Sequence, residues 1–324
     1  VKVLWLNISR MDRCSRDYYE TIRIELEKIC NITIVTKPID EVKLGQAAQM
    51  ATDGIKYRDK IVSPSYANEF DVIVVDPVWA YLGEEWDNIH TPHATIMLDQ
   101  HRICKKYFSI AWHQLGFELF ITRYYNPTKI LNPYIPSRNI AWLPLDIDPS
   151  IYKKYSDIPK KKEALLTGSI GNPYPLRMAI AEQCDNQEWF RSIPRPPEDG
   201  TRSWPVDEDY AKELAGATFG FSCTSKFGYV LKKAYEIPAC GTILVQDVIP
   251  EMLRLGFKPW VNFLPLEKKS IPQQIERFFK RGDLKEIAEA GHALIHNNHT
   301  AKIRAGQLKY YLVDFLHNRG RHGN

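Results

Sequence analysis

Short apolar runs alternate with amphipathic stretches along most of the chain. Val3–Asn7 predicts a first buried strand, and the spacing of Tyr19, Ile22, Ile24, Leu26 and Ile29 predicts a helix over Arg16–Ile29. Ile32–Thr36 predicts a second strand. Residues 37–69 are mixed and polar, with one helix expected at Lys43–Thr52. Phe70–Asp76 is a near-continuous apolar run, the pattern of a strand buried on both faces. Ala94–Leu98 and Phe117–Ile121 predict further strands, the second followed by a helix-poor loop. Ile140–Leu143 then runs into Pro144-Leu145-Asp146-Ile147-Asp148-Pro149.

The pattern restarts after Tyr152–Lys162, a polar stretch with Pro159 and five lysines that suits an interdomain linker or a solvated loop. Strands are expected at Glu163–Thr167, Trp189–Ile193, Thr218–Cys223, Gly241–Gln246 and Val261–Leu264. Helices are expected at Leu176–Cys184, Asp207–Ala215, Tyr229–Pro238 and Val248–Leu255, and then at Ile271–Arg281, Leu284–Asn297 and Thr300–His317. Strands alternating with helices imply parallel sheets joined by right-handed crossovers. A length of 324 residues suits two domains, divided near residue 150.

Composition narrows the function classes. Hydrophobic residues are 44% and charged residues 25%, ordinary for a globular protein with a full core. A net charge of +4 is compatible with an anionic ligand and too small to argue for nucleic acid. No stretch approaches the roughly 20 apolar residues of a membrane span. The six cysteines, Cys14, Cys30, Cys104, Cys184, Cys223 and Cys240, form no Cys-x-x-Cys pair and read as reduced thiols of a cytoplasmic protein. His292 and His296 lie one helical turn apart with His299 beyond. No carboxylate completes a metalloprotease pattern, so they read as a solvated face and no metal site is expected.

The candidate chemistry lies at strand ends. Gly168 and Ser169 follow the strand at Glu163–Thr167, where a glycine lets backbone approach a ligand. Arg177 lies just inside the next helix, whose start offers free N–H groups to a phosphate. Further on comes Lys232-Lys233-Ala234-Tyr235-Glu236-Ile237-Pro238-Ala239-Cys240-Gly241, followed at once by an apolar strand. A lysine pair there can neutralise a pyrophosphate, and a carboxylate one turn on can accept from both ribose hydroxyls. The alternative for Lys233 and Glu236 is a surface ion pair at i, i+3. In the first half, Asp99-Gln100-His101 follows the strand at Ala94–Leu98, where Asp and His two apart can act as base and orienting partner. Asp76 ends the strand at Phe70–Asp76, and Asp12 and Arg13 lie in the loop after the first strand.

The segment Lys232–Val245 resembles the donor-site motif of glycosyltransferases with the GT-B fold, two Rossmann-like α/β domains facing across a cleft. The closest likeness is to the CgeB-like group, where a basic residue three before the Glu and an Ala-Cys-Gly ending recur. The likeness is close over residues 218–247. It extends loosely through Ile287–Gly291, His299-Thr300 and Arg304, and Pro144–Pro149 resembles the segment that ends the N-terminal domain of that group.

The resemblance implies an N-terminal acceptor-side domain over residues 1–150 and a C-terminal donor domain over 151–324, with the last helix packing back toward the first domain. It implies transfer of a sugar from a nucleotide-sugar, a UDP- or GDP-sugar, without an essential metal. Glu236 would hold the ribose, and Lys233 with Lys232 the phosphates. Gly168, Ser169, Arg177 and Gly241 would complete the donor contacts. Asp12, Arg13 and Asp76 would face the acceptor. Asp99 or His101 would be the base, with Asp76 or Asp12 as further candidates, or the donor phosphate would take the proton in a retaining reaction. One departure is Gly228, which stands eight before Glu236 where the commonest retaining members carry a second acid. The acceptor is open among glycan, protein, small molecule and modified nucleic-acid base. An epimerase-type enzyme on nucleotide-sugars and a non-catalytic nucleotide-sugar-binding or glycan-binding protein are the alternatives, because fold alone does not separate them.

Overall fold

The computed structural model of the chain describes residues 1–10, 19–39, 62–76, 88–97, 104–113, 115–194 and 205–319. The chain forms two compact units, Val1–Pro144 together with Ala301–Asn324, and Leu145–Thr300. Each is built on a wholly parallel sheet among the described residues.

The first unit runs β1 (Lys2–Arg10), α1 (Glu20–Glu27), β2 (Asn31–Ile39), α2 (Pro64–Ala67), β3 (Val72–Asp76), β4 (His93–Met97), α3 (Cys104–His113), β5 (Phe117–Thr122), α4 (Tyr125–Leu131) and β6 (Ile140–Trp142). Its strand order is β2-β1-β3-β4-β5-β6. Both faces of this sheet are covered, and the alternation of side chains shows it. Leu4, Leu6, Ile73 and Val75 enter one apolar cluster, while Val3, Trp5, Val72 and Val74 enter the other. The second cluster is closed by Ile22 and Leu26 of α1 and by Ala305, Leu308 and Leu312 of the final helix, α11 (Ala301–Arg319). Lys309 and Tyr311 of that helix donate to the carbonyls of Ile29 and Trp142.

Two expectations for this unit are corrected and a third is not tested. Ile24 and Ile29 do not share the buried face of α1; they are 49% and 41% exposed, so Tyr19, Ile22 and Leu26 carry the packing. A helix, α4, follows β5 where a helix-poor loop was expected. Its Pro127 lies in the first turn, where a missing N–H costs nothing. The helix expected at Lys43–Thr52 lies outside the described residues.

The second unit runs β7 (Lys161–Thr167), α5 (Pro175–Cys184), β8 (Phe190–Ile193), α6 (Asp207–Gly216), β9 (Ala217–Phe221), α7 (Lys233–Ala239), β10 (Ile243–Gln246), α8 (Pro250–Arg254), β11 (Leu264–Pro265), α9 (Ile271–Phe279) and α10 (Leu284–Asn298). The strand order is β11-β10-β9-β7-β8. The chain's entry and exit run side by side, with Ile147 N–H donating to His299 O at 3.0 Å.

Part of the lysine-rich stretch is strand: Lys161 and Lys162 open β7 with exposed side chains. Lys160 is exposed overall, yet its ammonium donates to Ala217 O at 2.9 Å and to Thr242 Oγ1 at 2.6 Å. Residues 261–262 are a turn rather than strand and Phe263 forms an isolated bridge with Pro259, with Trp260 N–H donating to Phe263 O at 2.8 Å. The predicted helix at Tyr229–Pro238 starts only at Lys233, because Ser225 Oγ accepts from the Phe227 and Tyr229 N–H groups and holds residues 225–229 in a turn.

Gly291 of α10 tests the packing. A Cβ there would lie 2.8 Å from Asn262 O and 3.2 Å from Pro238 Cβ. Asn262 has little room to give, since its side chain accepts from Lys258 N–H at 2.7 Å and donates to Gly256 O at 3.0 Å. Gly291→Ala is therefore expected to lower the unfolding free energy by about 1–3 kcal/mol. The readout is a lower denaturant midpoint at unchanged slope. A midpoint equal to the parent's would contradict this contact.

Candidate functional site

In the second unit β7 lies between β8 and β9, so the chain leaves β7 toward one side and later returns on the other. The carboxyl ends of β7 and β9 are thus the point where strand order reverses, the place where open α/β sheets bind ligands. Thr167 ends β7, and Gly168 follows with φ +93°. A Cβ on Gly168 would lie 2.8 Å from Lys233 Cε and 3.3 Å from an Arg177 guanidinium nitrogen. A side chain here would be strained and would displace the lysine, so glycine is what lets two cations lie over this turn.

Arg177 comes from the first turn of α5 and is only 3% exposed. Its guanidinium donates to Ser169 O at 3.3 Å and lies 4.5 Å from the Tyr174 ring centroid. It also faces the Cys223 thiol, which burial raises to about 11 against the opposing pull of Arg177. Among the described residues, Arg177 Nε has no hydrogen-bond partner. A buried, fixed positive charge with an unused donor is costly unless an anion completes it.

Lys233 opens α7. Its ammonium donates to the Tyr210 hydroxyl at 2.7 Å and lies 4.6 Å from that ring's centroid. Burial lowers its pKa to about 8; Glu236 opposes the shift and Arg177 adds to it. Tyr210 of α6 also shares a hydrogen bond with Thr167 Oγ1 at 3.0 Å. Glu236, one turn along α7, is buried and faces Tyr152. Burial raises the Tyr152 phenol well above its ordinary value, and the Glu236 charge and a hydrogen bond to that carboxylate raise it further.

The structure therefore brings Gly168, Ser169, Arg177 and Lys233 together, with Lys232 as the residue capping α7 and Glu236 behind it. Gly241 does not join them. It ends α7 at φ +70° on the way into β10, where a Cβ would meet the Lys154 side chain, so its place is the turn at the amino edge of the sheet. Gly228 forms the Ser225 turn at φ +73° and faces open space. Asp76 ends β3 in the first unit, buried and opposite Asn7 of β1. Asp12, Arg13, Asp99 and His101 lie outside the described residues.

His292 and His296 stack face to face, ring centroids 4.1 Å apart, and burial lowers His292 to about 4. Among the described residues no group of three or more His, Cys, Asp or Glu is placed to hold a metal ion, and no helix is long and apolar enough to cross a membrane. Sequence alone assigns neither Tyr152 nor Tyr210 a role: Tyr152 opens the polar stretch expected to be a linker or loop, and Tyr210 lies in a helix with no expected chemistry.

Residues 174–309 match a family model described as glycosyl transferase-like, a span that contains Arg177, Lys233 and Glu236. No curated protein sequence matches the chain. Among solved structures, sucrose-phosphate synthase from Thermosynechococcus elongatus is similar with a TM-score of 0.69 at 11% identity, over 98% of this chain and 100% of that one. Anabaena Alr3699/HepE in complex with UDP and glucose gives a TM-score of 0.62 at 12% identity, over 97% and 99%. A glycosyltransferase from Rickettsia africae gives 0.60 at 13%, over 98% and 99%. At these identities the likeness is one of fold, and the two parallel α/β units are those of the GT-B fold.

Proposed function

We propose that the chain is a glycosyltransferase that moves a sugar from a nucleoside-diphosphate sugar, a UDP- or GDP-sugar, to an acceptor hydroxyl. The observation that carries this reading is the convergence of Arg177 and Lys233 over Gly168, with a buried guanidinium donor left unused. Two fixed cations at a strand-order reversal fit a diphosphate, and the glycosyl transferase-like match over residues 174–309 supports the same ligand. The Lys233-x-x-Glu236 spacing with Ala239-Cys240-Gly241 favours the CgeB-like group within that fold. Cys30, Cys184, Cys223 and Cys240 are free thiols, which suits work in the cytoplasm.

In the proposed reaction the acceptor oxygen attacks the anomeric carbon of the donor. The bond from that carbon to the β-phosphate oxygen breaks, and its electron pair leaves with the nucleoside diphosphate. Arg177 and Lys233 stabilise the charge that develops on the leaving group, so the step needs no metal for that purpose. Glu236 holds the ribose hydroxyls. Asp99 or His101, which follow β4 in the chain, takes the acceptor's proton.

The Lys233 pKa sets a pH dependence. The ammonium, not the amine, binds the diphosphate, and its pKa in the free protein is about 8. The phosphate's own second ionisation lies near pH 6 and is complete above neutrality. Affinity for UDP or GDP should therefore hold near pH 7 and fall as pH rises through about 8, approaching tenfold per pH unit above it. Calorimetric titration between pH 7 and 9.5 checks this. A flat profile would remove Lys233 from the diphosphate site.

A further inference from the structure

We infer that the buried Tyr210 is a positioning residue that sets the Lys233 ammonium of the donor site. The inference rests on the donor reading above and goes beyond it to a residue outside the motif. Tyr210 is on α6 and Tyr152 on the segment before β7, yet their rings meet edge to face with centroids 6.4 Å apart. Both are buried, with exposures of 6% and 8%.

A buried phenol must place its polar tip, and Tyr210 places its own on a functional charge. The Tyr210 hydroxyl takes the hydrogen bond from Lys233 at 2.7 Å and is itself held by Thr167 at 3.0 Å, at the end of the strand that leads into Gly168. The lysine is thereby aimed across the Gly168 turn rather than into solvent.

The charged and titratable groups facing Lys233 are Glu236 and Lys232 of α7, Arg177 of α5, Cys223 after β9 and Tyr210 of α6. Of these, Tyr210 accepts a hydrogen bond from the ammonium and so favours its charged form.

The test measures UDP and GDP binding to the full chain by calorimetry, for the parent, Tyr210→Phe and Tyr152→Phe. Two quantities are read within each preparation. One is the pH midpoint at which affinity falls. The other is the preference for the ribonucleotide over its 2′-deoxy form, expected at about tenfold or more in the parent.

Tyr210→Phe should move the midpoint down by about one pH unit and leave the ribose preference intact. Tyr152→Phe, which keeps the ring packed on Tyr210 and does not touch the bond to Lys233, should leave the midpoint intact. Lys233→Arg, which does not titrate in this range, should abolish the midpoint and so report on Lys233 even if Tyr210→Phe folds poorly. Both readouts compare affinities within one preparation, so a partly unfolded sample does not imitate them. An unchanged midpoint in Tyr210→Phe, or an equal shift in Tyr152→Phe, would overturn the assignment while leaving the donor reading standing. Absence of nucleotide binding by the parent would overturn the donor reading and this inference with it.

Discussion

Lys233→Ala is expected to weaken the binding of UDP or GDP by about ten- to a hundredfold, equivalent to roughly 1.5–3 kcal/mol for a charge-assisted hydrogen bond. The loss should fall on affinity rather than stability. Lys233 lies at the start of a short helix whose core contacts come from Ala234, Tyr235 and Ile237. Removing it also deletes the ammonium over Tyr210, but the Tyr210 hydroxyl keeps its bond with Thr167. Glu236→Ala makes the complementary case, because the carboxylate faces Tyr152 and should act through the nucleoside rather than the phosphates. Calorimetry with nucleoside mono- and diphosphates separates the two variants. Lys233→Ala should lose most of the gain that the second phosphate gives, and Glu236→Ala should keep it. Parent-like affinity in both variants would refute the assignment of the site.

The second large effect concerns turnover. An acceptor hydroxyl is a poor nucleophile until its proton is taken, and a positioned base is worth about a hundredfold or more. Asp99→Asn and His101→Ala are therefore expected to cut sugar transfer by about that factor while leaving nucleotide affinity nearly unchanged. The split between the two measurements is the diagnostic. A residue that merely supports the fold would lower binding and turnover together. Transfer at the parent rate in both variants would move the base elsewhere, or to the donor phosphate.

Much of the sheet architecture was legible in the chain because its strands are buried on both faces. Phe70–Asp76 could be read directly as a strand because β3 has no solvent side to interrupt the apolar run. Errors came where local chemistry competes with periodicity. Ile24 and Ile29 look like part of an apolar stripe but face outward on α1. Tyr229–Leu231 continue a helical pattern, yet the Ser225 hydroxyl satisfies the local N–H groups as a turn first. Lys160 is solvated along most of its length, as a lysine-rich stretch suggests, but its ammonium meets Ala217 O and Thr242 Oγ1, which the sequence does not show.

The site divides along the same line. Lys233 and Glu236 sit in one helical turn, so their spacing is visible in the sequence. Gly168 and Arg177 were visible as a strand-end glycine and a helix-start arginine, though not as partners of Lys233. Tyr152 and Tyr210 were not legible at all. Tyr210 is 23 residues from Lys233, and its contact exists only because α6 and α7 pack beside β7. The one signal available was chemical: a tyrosine in a core brings a hydroxyl that needs a partner.

The most direct test of the central claim is release of nucleoside diphosphate from a panel of UDP- and GDP-sugars, compared between the parent and Lys233→Ala. The proposed transferase should release UDP or GDP from at least one donor, by transfer to an added acceptor or slowly to water, and the Lys233→Ala variant should lose most of that release at limiting donor. Tight donor binding by the parent with no diphosphate released from any sugar in the panel, whatever the acceptor, would contradict the account and leave a nucleotide-sugar-binding protein in its place.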